Sequence, residues 1–187
     1  MIAVAGAAHA VEPASARRST TPPDVKKAVA LVEPTRDSTV HGTVTFERTD
    51  TGVRVVADLS GLPPGSTHGF HIHEFGDCTG PDATTAGDHF APEGHPHGSP
   101  WAPPRHAGDL GNVTADGSGR AHLDLTVDNF TVSSGRSMIL GRSVIVHAQP
   151  DDFTTQPSGA AGPRLACGVI GAAPPGNDPN ATAGTRR

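Results

Sequence analysis

Histidines are unusually frequent in this sequence, and their spacing suits metal binding. The chain has 11 histidines among 187 residues. His71 and His73 stand two positions apart in the β-rich run GFHIHE, so both imidazoles would project from one face of a strand. The other candidate ligands are His89, His95, His97, His106, Asp109 and His147. Imidazole binds copper, zinc, iron and nickel, and a carboxylate beside several histidines is compatible with zinc. A single histidine would more often be a surface or core residue, but the whole set predicts a metal site.

The two cysteines, Cys78 and Cys167, predict one disulfide bond if the protein is exported. They stand 89 residues apart and lack the C-x-x-C spacing of zinc and redox sites. A bridge of this length would remove about 4 to 5 kcal/mol of unfolded-state entropy. The alternative is a pair of unrelated buried thiols.

Short β-rich runs that alternate with turn signals must position these residues. Eight such runs are present: KKAVALV, STVHGTVTFER, VRVVADLS, THGFHIHE, DLGNVTA, RAHLDLTV, RSVIVHA and RLACGVI. No apolar pattern of helical period extends beyond two turns. Two irregular stretches, Phe75 to Arg105 and Gln149 to Pro163, are far longer than the usual connection of about 4 to 6 residues. The sequence therefore predicts an all-β antiparallel fold with two long functional loops.

Composition divides the chain into three regions and excludes two classes of partner. Residues 1–25 read as a signal-peptide remnant and a flexible linker, residues 26–171 as the folded domain, and residues 172–187 as a disordered tail. The alternative for the first eleven residues is a flexible, alanine-rich tail. The net charge of −5, without a basic cluster among aromatics, argues against nucleic-acid binding. No apolar run reaches the ~20 residues of a membrane span. The signal-like N-terminus and the possible disulfide bond predict an exported protein, located in a periplasm, at a cell envelope or outside the cell.

Five segments resemble the copper/zinc superoxide dismutase family, in the same order and with nearly the same spacing. They are GFHIHEFGDC, AGDHF, RHAGDLGNVTADGSG, SVIVHAQPDD and GPRLACGVIG. The resemblance extends from about Lys27 to Gly171. It implies an eight-stranded antiparallel Greek-key β-sandwich or barrel, immunoglobulin-like, with one copper and one zinc per subunit. It also implies an enzyme that converts two superoxide anions and two protons to dioxygen and hydrogen peroxide by alternate reduction and re-oxidation of copper. The compact GDCTG segment and the preference for Arg over Lys suggest a bacterial-type member.

The resemblance also implies a role for individual residues. The copper ligands would be His71, His73, His89 and His147. The zinc ligands would be His89, His97, His106 and Asp109. His89 would then bridge the two metals and carry a proton, and Arg164 would guide the anion to copper. Asp151 would join His71 to His97, and a bridge between Cys78 and Cys167 would tie the metal-binding loop to the last strand.

Several alternatives remain open at the level of sequence. His97 fits the family spacing better than His95, which would face solvent. Asp151 could be a turn residue beside Asp152, and Arg164 a solvated loop residue. A non-enzymatic copper-delivery or metal-storage domain, or a structural β-sandwich, could share this fold. The second loop lacks Lys and Glu, which leaves the catalytic rate open, and a homodimer is possible.

Overall fold

Every alternating run of the sequence forms a strand. The computed structural model describes residues 24–174. Its strands are β1 (Lys27–Pro34), β2 (His41–Thr49), β3 (Gly52–Ser60), β4 (Thr67–His73), β5 (Asp109–Thr114), β6 (Ala121–Val127), β7 (Ser143–His147) and β8 (Arg164–Ala172). The only helical element in this described region is the short 3-10 turn Thr84–Ala86. The predicted all-β class with eight strands is therefore confirmed.

The strands form two antiparallel sheets that β8 joins. Their hydrogen-bonded order is β5-β4-β7-β8-β1-β2-β3-β6. Strand β8 pairs with β7 from Arg164 to Val169 and with β1 from Ala166 to Ala172. The connections from β3 to β4 and from β6 to β7 cross between sheets, as in a Greek key. The result is a nearly closed barrel whose edge strands, β5 and β6, lie close together.

Side-chain alternation explains how the barrel buries its core. On β3 the side chains of Val53, Val55, Ala57 and Leu59 point inward and are buried. On the outer face, Arg54 pairs with Asp124 of the neighbouring β6 at 2.5 Å. Burial of apolar surface contributes about 25 cal/mol per Å², so this inward row stabilises the sheet far more than the exposed ion pair does.

Strands β4 and β7 differ because they are buried on both faces. Phe70, Ile72 and Val144 point into the main core. The opposite face carries His71 and His73, and it is buried as well. The two long loops predicted from the sequence lie over this face and contribute His89, His97 and Asp151 to its contacts. This protected face is where polar groups can be held in a fixed arrangement.

The disulfide bond predicted between Cys78 and Cys167 is confirmed, with a Cα–Cα distance of 5.8 Å. Cys167 lies on β8, and Cys78 lies in the loop that follows β4. Ala83, Ala86 and Ile145 pack around the bridge in a small second core. The loop is thereby fixed to the barrel next to the histidine face.

The predicted signal remnant and most of the predicted C-terminal tail lie outside the described residues. Strand β1 begins at Lys27 and β8 ends at Ala172. Among residues 24–174, no helix is long and apolar enough to cross a membrane.

Candidate metal centre

Four histidines meet on the covered face of β4 and β7. They are His71, His73, His89 and His147, and one ligand atom from each lies within 4.8 Å of the others. His71 and His73 come from β4, His147 ends β7, and His89 comes from the loop that pairs with His73 through an isolated β-bridge. All four are buried. The structure thus brings together the whole set that the resemblance predicts as copper ligands.

Hydrogen bonds orient three of these rings. Nδ1 of His73 lies 2.9 Å from the carbonyl oxygen of Gly87, and Nδ1 of His147 lies 3.1 Å from that of Gly162. Nε2 of His71 lies 2.7 Å from Oδ2 of Asp151. Each acceptor fixes the proton on the nitrogen that it contacts, so the other ring nitrogen keeps a free lone pair.

The free nitrogen atoms point at one another. Nε2 of His73 and Nε2 of His147 are 3.2 Å apart. Nδ1 of His71 and Nε2 of His89 are buried without a hydrogen-bond partner among the described residues. Buried polar atoms without partners are costly. A copper ion coordinated by these four nitrogens would satisfy them, and imidazole is a ligand that suits copper. The residues therefore fit a copper ion.

A second group of ligands adjoins the first. Its members are His89, His97, His106 and Asp109, again within 4.8 Å of one another and buried. Oδ1 of Asp109 lies 3.0 Å from Nδ1 of His89, 3.0 Å from Nδ1 of His97 and 3.3 Å from Nδ1 of His106. Three nitrogens and one carboxylate oxygen around one point match the tetrahedral donor set of a structural zinc.

Backbone groups hold Asp109 in this arrangement. Its Oδ2 accepts hydrogen bonds from the backbone N–H groups of Gly98 and His106, both at 2.9 Å. Asp109 also opposes His71 across the β4–β5 pair. The second group of ligands, which we call the zinc-type group, therefore lies directly beside the four histidines of the first, which we call the copper-type group. His89 belongs to both groups through its two ring nitrogens.

Asp151 is a second connection between the two groups. Its Oδ2 contacts His71, and its Oδ1 lies 2.9 Å from Nε2 of His97. Asn112 fixes the backbone of Asp151 by accepting from its N–H at 2.7 Å and donating to its carbonyl oxygen at 2.9 Å. The carboxylate thus orients one ring of each group.

Burial keeps the imidazole rings of His89 and His147 in the neutral form that metal binding requires. Burial, reinforced by the neighbouring His71, lowers the pKa of His89 to about 4 and that of His147 to about 3. Burial also lowers the pKa of His97, but hydrogen bonds to Asp109 and Asp151 outweigh it and raise that pKa to about 9. In the metal-free protein, His97 is therefore a cation held between two carboxylates.

The carboxylates of Asp109 and Asp151 are ionised because the neighbouring histidines donate hydrogen bonds to them. Burial raises the pKa of Asp109, but hydrogen bonds from His106, His89 and His97 outweigh it and hold the pKa well below its usual range. The pKa of Asp151 is likewise lowered, against the effect of burial, by hydrogen bonds from His71 and His97. The two carboxylates together outweigh the single positive charge of His97, and the remaining negative charge favours binding of a dication.

Arg164 lies at the opening of the centre. It lines a cleft of about 320 Å³ together with His73, His89 and His147. A larger recess of about 490 Å³ adjoins this cleft at Gly162 and Arg164. The guanidinium of Arg164 donates to the carbonyl oxygens of Ala83 and Gly87. It is therefore a fixed positive group beside the histidines, able to attract a small anion.

His95 lies away from both groups of ligands. Its side chain is exposed, whereas His97 two positions later is buried against Asp109 and Asp151. The structure thus places His97, and not His95, where the family spacing predicts a zinc ligand.

Sequence reasoning missed several supporting groups. The carbonyl oxygens of Gly87 and Gly162 orient His73 and His147, Asn112 supports Asp151, and Gln156 contacts the backbone of His97. Every residue has a backbone carbonyl oxygen, so the sequence does not indicate which of them accept hydrogen bonds from the histidines. Asn112, inside the matched segment DLGNVT, could have been noticed as a polar residue on a strand next to a predicted ligand.

Known proteins resemble this chain over most of its length. Residues 40–170 match the family described as copper/zinc superoxide dismutase. A copper–zinc superoxide dismutase of Neurospora crassa is 45% identical over 153 residues, which cover 78% of this chain and 97% of that protein. One of Schizosaccharomyces pombe is 44% identical over 156 residues, covering 79% of this chain and 98% of its own length.

A solved structure titled as that of the clock protein EA4 has the same fold. It superposes with a TM-score of 0.73 at 38% identity, and the match covers 80% of this chain and 96% of that one. The two sequence relatives named above are fungal. The bacterial affinity suggested by residue usage therefore stays a prediction.

Proposed function

Because this chain belongs to the copper/zinc superoxide dismutase family, we propose that it is an oxidoreductase that converts two superoxide anions and two protons to dioxygen and hydrogen peroxide. The observation that carries this proposal is the pair of complete ligand groups that share His89. When bound, copper supplies a one-electron redox couple for the two half-reactions, and zinc has a structural role. The residues of the chain would hold the metals, orient the superoxide anion and carry a proton.

The ligand roles follow from which ring atoms are free. Copper would be held by Nδ1 of His71 and by Nε2 of His73, His89 and His147, since the other nitrogens of His71, His73 and His147 already have acceptors. Zinc would be held by Nδ1 of His89, His97 and His106 and by Oδ1 of Asp109. Whenever Nε2 of His89 is not coordinated to copper, it is also the ring atom that could hold a proton near the cleft.

Arg164 supplies the attraction for the substrate. Superoxide is an anion and the chain carries a net charge of −5, so the local potential in the cleft must oppose the overall charge. The contacts of Arg164 with Ala83 and Gly87 use part of its donor set, and the remaining N–H groups can orient an anion beside His73 and His147. A domain that only stored or delivered copper would have no use for a fixed cation at this place.

We also propose that the protein is exported. The Cys78–Cys167 disulfide supports this location, because such bonds persist in oxidising compartments. Mass spectrometry of the mature protein, purified separately from the cytosol and from the extracytoplasmic fraction, tests it. Full-length protein confined to the cytosol would contradict export.

A homodimer is the assembly that we propose. Three large apolar side chains are exposed on one region of the barrel: Leu31 is 62% exposed, Phe75 58% and Val169 44%. Leu31 and Val169 lie on the paired strands β1 and β8, and Gly76, which follows Phe75, lies against Val169. We call this region, Leu31, Phe75 and Val169, the apolar patch. Its self-association would bury these side chains, and a patch that is its own partner generates a closed twofold dimer.

Purified protein loaded with copper and zinc tests the proposed activity. We expect it to accelerate the decay of superoxide in stopped-flow measurements, with one equivalent of each metal bound per chain. Binding of both metals without acceleration would indicate a delivery or storage protein. Failure to bind either metal would indicate a structural β-sandwich.

A further inference from the structure

The side-chain amide of Gln156 forms two hydrogen bonds with the backbone of a single residue, His97. Its Oε1 accepts from the N–H of His97 at 2.9 Å, and its Nε2 donates to the carbonyl oxygen of His97 at 2.9 Å. The two residues are 59 positions apart in the chain. A planar amide has one acceptor and one donor side by side, so it can satisfy both backbone groups at once. Among the side chains, only Gln and Asn carry this pair.

This contact adds to the one made by Asp151. Asp151 holds the ring of His97 at Nε2, and Gln156 holds its backbone. Both residues belong to the loop between β7 and β8, whereas His97 belongs to the loop between β4 and β5. One loop therefore fixes both the ring and the main chain of a residue in the other. The exposed His95 has no such contact with Gln156 in the described region.

The residues after Gln156 connect its contact with His97, which we call the Gln156 clamp, to the cleft. Pro157 and Ser158 line the same cleft as His73 and His147. Gly159 packs so closely that a Cβ atom there would overlap the Asp151 carboxylate and approach Nε2 of His97. Its φ of +66° is in the left-handed region that favours glycine. The wall of the cleft is thus built directly on the contacts that hold His97.

We propose that Gln156 is a positioning residue that sets His97 as a zinc ligand and couples zinc binding to the wall of the substrate cleft. The inference rests on the proposed function, because it takes His97 as a zinc ligand. Without the Gln156 amide, the hydrogen bond between Asp151 and the ring of His97 would be the remaining hydrogen bond from the β7–β8 loop to His97. Removal of groups that orient a metal ligand typically lowers metal affinity by about 10- to 100-fold.

The test compares two glutamine variants on the same loop. Gln156→Met keeps the length of the side chain but loses both hydrogen bonds to His97, together with a longer one from Nε2 to the carbonyl oxygen of Thr154 at 3.4 Å. Gln149→Met is the matched control, since Gln149 is exposed and its amide has no hydrogen-bond partner among the described residues. Zinc affinity is measured by competition with a chromophoric chelator, and the geometry of the zinc site by the visible absorption of the cobalt(II)-substituted protein. We expect Gln156→Met to lower zinc affinity about 10- to 100-fold and to change the cobalt spectrum, while Gln149→Met leaves both unchanged.

Hydrogen–deuterium exchange tests the coupling to the cleft. In the unmodified protein and in Gln149→Met, zinc should slow exchange of the amides of residues 158–160. In Gln156→Met this zinc-dependent protection should be lost. A purely structural role would instead raise exchange equally with and without zinc, which would overturn the proposal.

A second variant keeps the inference testable if Gln156→Met does not fold. Gln156→Glu retains the acceptor for the N–H of His97 but places a carboxylate oxygen against its carbonyl oxygen, and we expect it to lose zinc affinity as well. Unchanged zinc affinity in the folded variants would refute the role of Gln156. If the unmodified protein binds zinc but does not accelerate superoxide decay, the proposed activity fails and the role of Gln156 stands.

Discussion

At the scale of single residues, one carbonyl group contacts both the proposed anion guide, Arg164, and a predicted copper ligand, His73. The carbonyl oxygen of Gly87 accepts from the guanidinium of Arg164 at 2.6 Å and from Nδ1 of His73 at 2.9 Å. The cation that we propose as the anion guide and a predicted copper ligand are therefore fixed to the same backbone atom. The distance between them is set by the fold and not by side-chain flexibility.

Replacement of Arg164 should slow catalysis without releasing either metal. We expect Arg164→Ala to reduce kcat/KM by about 10-fold or more, because a fixed charge in a cleft raises the encounter rate by about 10- to 1,000-fold. Its dependence on ionic strength should also weaken. Arg120→Ala, at an exposed turn residue, is the control. An unchanged salt profile in Arg164→Ala would remove Arg164 from the steering role.

The two histidines of the first long loop should behave differently when replaced. His97→Ala should lower bound zinc and the Tm of the zinc-loaded protein, because His97 is buried between two carboxylates. His95→Ala should change neither, since its side chain is exposed. Metal analysis by mass spectrometry together with calorimetry checks this pair. Equal zinc loss in both variants would contradict the assignment.

The stability of the metal-free protein should pass through a maximum near pH 6.5. Its folded-state pKa values of about 4 for His89 and about 3 for His147 are below the ordinary 6.5. The unfolded chain therefore binds more protons, and stability falls as the pH drops from about 6.5 towards these values. The raised pKa of His97, about 9, has the opposite effect, and its stabilisation is lost as the pH rises from 6.5 to 9. Thermal unfolding at several pH values measures this, and a Tm that is constant from pH 4 to 6.5 would contradict it.

At the scale of elements, the strands could be predicted because alternation and turn residues determine them locally. The run VRVVADLS gives the buried row of β3 almost position by position. The residues of the two candidate ligand groups, which the structure brings together, could be predicted because residue type carries the chemistry of a metal site. The Gln156 clamp could not, because it joins residues 59 positions apart through backbone atoms. The same limit applies to the carbonyl oxygens of Gly87 and Gly162.

The disulfide should stabilise both the fold and the cleft. It attaches the loop that contains Ala83 to β8, and the carbonyl oxygen of Ala83 accepts from Arg164. We expect the double variant Cys78→Ser/Cys167→Ser to lose about 2 to 5 kcal/mol in the free energy of unfolding. It should also have lower kcat/KM at full metal content, because Arg164 is held less firmly. Denaturant titration and stopped-flow assays measure the two effects, with the chemically reduced parent protein as the control. Equal stability in all three forms would contradict this prediction.

At the scale of the whole molecule, the proposed homodimer depends on the apolar patch. We expect the parent protein to sediment as a dimer and Val169→Glu to sediment as a monomer with both metals retained, because a charge at the centre of an apolar contact is costly to bury. Thr126→Glu, at an exposed position of β6, is the control and should remain dimeric. A monomeric parent protein would contradict the homodimer.

The position of β8 has a consequence for how the protein is made. This strand is formed by the last of the described residues, yet it is the one that joins the two sheets and pairs with β1, near their start. It also carries Arg164 and Cys167. A nascent chain that has not yet extended past β8 therefore has neither a closed barrel nor Arg164 beside the histidines, since both require the residues of this strand. Barrel closure and formation of the Cys78–Cys167 bond thus depend on the same strand, so a chain that stops before β8 contains its candidate ligands but lacks the residue that we propose as the anion guide.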